Sequence, residues 1–409
     1  MLWKIIVIAI VTVVWLYNLY LLLLSLRSRN NPIPESVRDV YDEATYRKRL
    51  QYNAEKNRLG MLKSAAGFIV DLVLLIFNLY AAFAGLFTEK DWEQMFAVVL
   101  LFAIASLITI PFDWYDTMKI EGRYGFNRTN AKTFFADRVK ELVLRFGLLI
   151  GLGSLLLGLH RTFGNWMILL FAVFATLFLL FFTFIFPFFS KIFNKFKPLE
   201  DGELREKLTA LLEKNGYRVR AINVMDASRR STKANAYFAG FGKTKTIVLY
   251  DTLVEAMTTD EIVAVFAHEL GHGLHKDTLK NQILTFFEML ILGALVWGVL
   301  KIPALFAAFG FSGINYGFAE IVILAAGFEL LWPLMGLVVN WLSRRAEYRA
   351  DAHAVKEGCG EALISALKKL SRQNYGDLAP SPVLVALTYS HPTLAQRIEA
   401  IRALEQSKE

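Results

Sequence analysis

Residues 268 to 272 read His-Glu-Leu-Gly-His, and that order points to one kind of chemistry. Histidines four apart on a helix lie one turn from each other on the same face, so His268 and His272 can both reach a metal at about 2.0 to 2.1 Å. Glu269 then stands beside the water that the metal holds, where a carboxylate serves as general base. Zinc lowers the pKa of such a water from about 15.7 to about 7, and the nucleophile so formed can attack a polarised peptide carbonyl. The plainer reading is a pair of polar histidines on a helix surface. Against it stands the scarcity of histidine, 6 among 409 residues.

The chemistry needs the motif to be helical, and the flanking residues provide for that. Thr258, with Glu261 three residues later, forms a capping box, and the apolar run Ile262, Val263, Val265, Phe266 carries the helix into the histidines. Upstream, the pattern is that of a small α/β unit. Asp201 to Asn215 reads as an amphipathic helix stopped by Gly216. Val219 to Val224, Asn235 to Gly240 and Thr246 to Tyr250 read as strands, the last two joined as a hairpin through Gly242 and Lys243.

The rest of the chain is too apolar for an ordinary soluble domain. Hydrophobic residues make up 55%, aromatics 14%, and the mean hydropathy is +0.40. Seven runs, near 4–26, 64–87, 95–112, 142–159, 165–189, 282–300 and 318–341, are long enough to cross about 30 Å of hydrocarbon. The first lacks a small-residue cleavage site and is followed by Arg27 and Arg29, so it reads as a retained span. Basic residues crowd the loops after span one (Arg38, Arg47, Lys48, Arg49, Lys56, Arg58) and span three (Lys119, Arg123, Arg128, Lys132, Arg138, Lys140). Those loops are expected in the cytoplasm, which puts the N-terminus outside and both the motif and the C-terminus inside.

The net charge of +8 and pI near 9.3 follow from the same clusters, which suit anionic inner-leaflet lipid. No basic and aromatic module is present, so nucleic acid is not an expected partner. Cys359 is the only cysteine, which excludes an intrachain disulfide and a thiolate metal cluster and leaves histidine and carboxylate as ligands.

Topology narrows the third ligand. Spans six and seven form a hairpin that returns the chain to the side it left, so residues from 343 onward come back near the motif helix. There Glu347 and Asp351 lie four apart on one helical face. Taken alone, they could simply pair with Arg344, Arg345 or Arg349 on a solvated helix. Their place after the hairpin selects Glu347 as the third ligand and Asp351 as the carboxylate that orients a ligating histidine. Four regions follow: a membrane region of five spans over 1–190, a cytoplasmic catalytic region over 191–280, a membrane hairpin over 281–342, and cytoplasmic helices over 343–409 that complete the site. Asp71, Glu288 and Glu329 fall inside apolar runs, so each should face water inside the protein or a buried polar partner. His275 reads as a surface residue or one just behind the site, His353 as a surface residue, and His160 as an outer interfacial residue.

With these segments in hand, the sequence resembles the type I CAAX prenyl endopeptidases, integral-membrane zinc metalloproteases. The resemblance is carried by Glu121 to Asn127 with Gly125-Phe126-Asn127, Ser231 to Gly240 with Asn235-Ala236-Tyr237, His268 to His272, Ser343 to Asp351, and His391-Pro392 followed by Arg397. It implies a mainly α fold, seven transmembrane helices around a water-filled chamber, with a small α/β zincin-like catalytic region on the cytoplasmic side. One zinc would be held by His268, His272 and Glu347, with Glu269 as base. Asn235, Ala236 and Tyr237 would meet the substrate backbone as an edge strand, a mode that gives affinity with little sequence selectivity.

His391 and Arg397 would line the active site, His391 either stabilising the oxyanion or pinning the last helix. The substrate implied is a hydrophobic or prenylated peptide from which the C-terminal tripeptide is cut, and the enzyme would act as a monomer among membrane lipids. The chain is short beside eukaryotic members and ends without an evident retrieval signal, which fits a bacterial homologue.

Other readings were an HtpX-like quality-control protease, opposed by the seven spans and Gly125-Phe126-Asn127, and a site-2-type intramembrane protease, opposed by a motif that follows a sheet instead of lying in a span. A silent chaperone or channel with structural zinc is opposed by the intact Glu269.

Overall fold

The computed structural model describes the backbone of residues 1–88, 90–229, 232, 235–239 and 244–407, and the side chains of these apart from 182–193, 238–239, 244–245, 325–326 and 328. The fold is mainly helical. Its first half comprises α1 (Leu2–Ser28), α2 (Glu43–Ile76), the short α3 (Leu79–Ala84), α4 (Asp91–Ser106), the short α5 (Ile110–Tyr115), α6 (Ala131–Phe163) and α7 (Met167–Phe193). The chain then forms β1 (Phe196–Pro198), α8 (Glu203–Lys214), β2 (Arg218–Met225), β3 (Ala236–Ala239), β4 (Thr244–Tyr250) and α9 (Asp251–Ala256). The last third is again helical: α10 (Thr259–Leu274), α11 (Asp277–Leu300), α12 (Pro303–Ala308), α13 (Tyr316–Val322), α14 (Glu329–Lys356), α15 (Gly360–Gln373), α16 (Pro382–Thr388) and α17 (Leu394–Gln406).

Side-chain caps set several of these starts. Asp42 accepts from the Thr45 amide at 2.8 Å to begin α2, and Asn130 accepts from the Thr133 amide at 2.9 Å to begin α6. Among the described residues, five helical stretches are long and apolar enough to cross a membrane: Leu2–Ser28, Glu43–Ile76, Asp91–Glu121, Ala131–Phe181 and Asp277–Leu300. The fourth contains the fourth expected span and the fifth as far as Phe181, parted at Gly164, whose φ of +54° lies where glycine is favoured. The expected seventh span, 318–341, is composite. It is built from α13, a π-helical turn at Ile323–Phe328 and the first half of α14, which turns charged at Arg344, so no single apolar helix fills it.

Buried apolar residues form two large clusters. One joins Val7, Leu74, Val98, Leu156, Phe171, Val296 and Phe318 among the apolar helices. The other joins Val37, Leu208, Ile247, Phe266, Ile364 and Ile398, so the loop after α1, the sheet, α10, α15 and α17 share one core. The sheet has strand order β1-β2-β4-β3, with β2 and β4 parallel and both outer strands antiparallel to their neighbours. The β3–β4 pairing, Tyr237 opposite Val248, is the antiparallel arrangement expected of that hairpin. The expected turn at Gly242 and Lys243, and Gly240 at the strand end, lie outside the described residues. Strand β1 was not foreseen: three residues are too few to give a period.

Candidate active site

Helix α10 starts on a reciprocal cap, with the Thr258 amide donating to Glu261 at 2.8 Å and the Glu261 amide to Thr258 Oγ1 at 3.3 Å. Glu261 also accepts from Ser365 Oγ at 2.6 Å and Lys369 Nζ at 2.7 Å, fastening the start of α10 to α15. One turn from its other end the helix presents His268, buried, and His272, half-buried.

Helix α14 crosses α10 at Gly271. A Cβ there would stand 2.7 Å from the Ala350 Cα, so only glycine admits this approach. We expect Gly271→Ala to push the two helices apart, costing about 1 to 3 kcal/mol. Because metal ligands would come from both helices, the variant should lose metal as well as thermal stability, read together by metal analysis and melting of the purified protein.

The crossing delivers Glu347 and Asp351, 5% and 0% exposed, to the two imidazoles. Glu347 Oε2 lies 3.5 Å from His268 Nε2, and Glu347 Oε1 lies 3.3 Å from His272 Nε2. One ligand atom from each of the three residues falls within 4.8 Å of the others. Ligands about 2.0 Å from a tetrahedral centre stand about 3.3 Å apart, so this nitrogen and oxygen set fits a metal such as zinc. A second observation agrees: Glu347 Oε2 is buried and makes no hydrogen bond, with Arg397 Nη1 at 3.4 Å as its ion-pair contact, which leaves it a lone pair for a metal.

Each imidazole is held from behind through Nδ1, leaving Nε2 to face the other. His268 Nδ1 pairs with Asp351 Oδ1 at 2.8 Å, and His272 Nδ1 with Asp277 Oδ2 at 3.1 Å. Asp351 is in turn gripped by Arg397 from α17, Nε to Oδ2 at 2.9 Å and Nη2 to Oδ1 at 2.6 Å. Arg397 Nη1 also lies 3.4 Å from Glu347 Oε2. Burial alone would raise the pKa of Asp351 and Glu347, but His268 and Arg397 around the first, and His272 and Arg397 around the second, hold both below the ordinary range. Burial disfavours a charged His272, yet its contacts with Glu347 and Asp277 prevail and raise it to about 9.

Asp277 was not foreseen. It lies five residues beyond His272, past Lys276 at φ +56°, and that left-handed residue ends one helix and turns the next so that its first carboxylate reaches back. The only signal in the sequence was an acidic residue shortly after the motif. Lys280 and Arg349 donate to its Oδ1 at 3.2 and 3.1 Å. Replacing Asp277 with Ala should weaken metal binding about 10- to 100-fold, measured by competition with a chromogenic chelator.

Glu269 is half-buried and hydrogen-bonds to no described residue. His391, between α16 and α17, has 63% of its side chain exposed, with Nε2 3.3 Å from Glu347 Oε1 and Nδ1 2.8 Å from Ser390 Oγ. Arg397, on α17, is 9% exposed and lies against Glu347 and Asp351. Ala236 and Tyr237 open β3, one of the two outer strands, with Asn235 just before it, and the three make no described contact with His268, His272 or Glu347. His275 is exposed. His353 is not the surface residue expected: its side chain is 9% exposed, because α14 lays it against Gly271. His160 bonds through Nδ1 to the Tyr316 hydroxyl at 2.9 Å. Asp71 and Glu288 are half-buried and Glu329 is exposed, none with an ion-pair partner among the described residues.

Comparison with known proteins gives the family. Residues 23–195 match the family model of the CAAX prenyl protease N-terminal region, described as five membrane helices, and residues 198–405 match that of peptidase family M48. CAAX prenyl protease 1 homolog of Arabidopsis thaliana is 31% identical over 97% of this chain and 96% of its own. CAAX prenyl protease 1 of Saccharomyces cerevisiae is 28% identical over 92% and 90%. The crystal structure of S. mikatae Ste24p superposes with a TM-score of 0.88 at 27% identity, covering 98% of this chain and 99% of that one. From its first apolar helices to its last, the chain belongs to peptidase family M48, as an integral-membrane metalloendopeptidase that carries the CAAX prenyl protease N-terminal region.

Proposed function

We propose that the chain is a zinc endopeptidase that cuts behind the prenylated cysteine of a CAAX peptide and releases the C-terminal tripeptide. The observation that carries this reading is the convergence of His268, His272 and Glu347, with a carboxylate behind each imidazole. These three residues hold one zinc, which when bound supplies a Lewis acid for the scissile carbonyl and an acidified water. Glu269 takes the proton from the attacking water and passes it to the leaving amine. His391, exposed beside Glu347, donates to the carbonyl oxygen as it gains charge, a contribution on the order of 100- to 1000-fold. Asp351 and Asp277 fix the Nδ1 protons of His268 and His272, and Arg397 keeps Asp351 ionised and in place.

The substrate backbone adds to β3 along Asn235, Ala236 and Tyr237. We further propose seven spans around a water-filled chamber: α1, α2, α4, α6, α7, α11 and the composite of α13 with the first half of α14. Asp71, Glu288 and Glu329, lacking ion-pair partners among the described residues, face its water. The four regions over 1–190, 191–280, 281–342 and 343–409 then divide the work of enclosing and cutting. The basic loops favour an N-terminus outside and catalytic residues in the cytoplasm, with the molecule acting as a monomer. The five-helix N-terminal match favours this reading over an HtpX-like protease.

A farnesylated CAAX peptide should be cleaved and its unmodified counterpart should not, by mass spectrometry of the products. Equal turnover of the two would remove the prenyl substrate while leaving the peptidase.

A further inference from the structure

A cavity of about 520 Å³ lies between α2 and the segment from α5 to Arg123, away from the zinc ligands. Its inner side is apolar, with Ile120 buried and Leu59 and Phe112 half-buried. Its outer side is cationic, with Arg58 and Arg123 both exposed. Glu55 also lines it and holds Arg123 at 2.7 Å, so that charge is largely answered. Arg58 has neither a hydrogen-bond nor an ion-pair partner among the described residues.

The walls of the cavity continue two apolar stripes. Leu62, Ile69, Val73 and Ile76 lie exposed along one face of α2, and Ile104, Leu107, Ile108 and Tyr115 lie exposed on the facing segment. On membrane-crossing helices such stripes meet acyl chains, and the cavity sits where they run out among the basic loops.

We propose that this cavity binds a glycerophospholipid with an anionic headgroup. Its phosphate and headgroup charge meet Arg58, and one acyl chain runs over Leu59, Leu62 and Phe112. Two arginines against one glutamate leave a net positive charge, which a zwitterionic lipid answers only in part. A free inorganic anion would leave the apolar inner side uncovered. A prenyl chain would fill that side and leave Arg58 unanswered.

The test uses the full chain reconstituted in nanodiscs of phosphatidylcholine with a minor fraction of spin-labelled phosphatidylglycerol or spin-labelled phosphatidylcholine. The wild type should hold phosphatidylglycerol preferentially. Arg58→Ala should weaken that preference about fivefold, the share of one arginine at a membrane surface, with peptide cleavage in detergent unchanged. Leu62→Trp, which fills the apolar side, should release the tightly held lipid. Arg128→Ala, exposed in the same basic loop but outside the cavity, should leave the preference intact. The proposal is overturned if the wild type holds both lipids equally, if Arg128→Ala acts as strongly as Arg58→Ala, or if a farnesylated peptide displaces the lipid at concentrations that support turnover.

Discussion

Replacing Glu269 with alanine is expected to slow peptide hydrolysis by about 100- to 10,000-fold while the protein keeps its metal. The two outcomes separate because Glu269 shares a helix with the imidazoles but takes no part in holding them. His268 is fixed by Asp351, His272 by Asp277, and Glu347 completes the set, whereas Glu269 hydrogen-bonds to none of the described residues. Nothing that shapes the ligand cluster is removed with its carboxylate. A buried ion-pair carboxylate would behave differently, since its loss strands a charge and costs about 3 to 5 kcal/mol. Unchanged melting and metal content, together with lost turnover, would therefore assign Glu269 to proton transfer. Glu269→Gln sharpens the comparison by keeping shape and polarity while removing the basic oxygen, and it should be as inactive as the alanine variant. Cleavage at the wild-type rate in either variant would overturn the general-base role.

Local signals in the sequence were read most fully where one helix carries them. The Thr258–Glu261 cap, the apolar run behind it and the four-residue spacing place both histidines on one face of α10 without reference to any other part of the chain. Glu347 was reached by topology, since a hairpin that leaves and re-enters the same side of a membrane brings its flanks together. Its spacing alone would have suited an ordinary charged helix equally well.

Features that depend on how two segments meet were not legible. Asp277 supports His272 only because Lys276 adopts a left-handed conformation, and nothing in the residue type demands that of a lysine. His353 is polar in a charged stretch, and only the close crossing at Gly271 explains its burial. Arg397 is far from α14 in sequence, and its grip on Asp351 follows from α17 folding into the same core as α10. The π-helical turn at Ile323–Phe328 left no mark on the apolar periodicity either, because one extra residue per turn is lost in a run where nearly every residue is apolar.

Replacing Glu347 with alanine should instead empty the site. An orienting carboxylate behind a metal histidine is worth about 10- to 100-fold in affinity, and a directly coordinating carboxylate must exceed that. The competing account is that Glu347 serves the fold, because Arg397 Nη1 and three histidine nitrogens lie within 3.5 Å of its oxygens. Melting with and without a chelator distinguishes the two. A metal that binds only the folded state stabilises it by mass action, so wild-type protein should melt lower after chelation. If Glu347 is a ligand, Glu347→Ala should melt near the chelated wild type and respond no further to chelator, since Arg397 keeps its two bonds to Asp351 and is not left unpaired. If its role is only structural, the variant should fall well below the chelated wild type and still respond to chelation. Glu347→Gln retains an oxygen donor without the charge. It should bind metal more weakly than wild type and more tightly than the alanine variant, an order that a purely structural carboxylate gives no reason to expect.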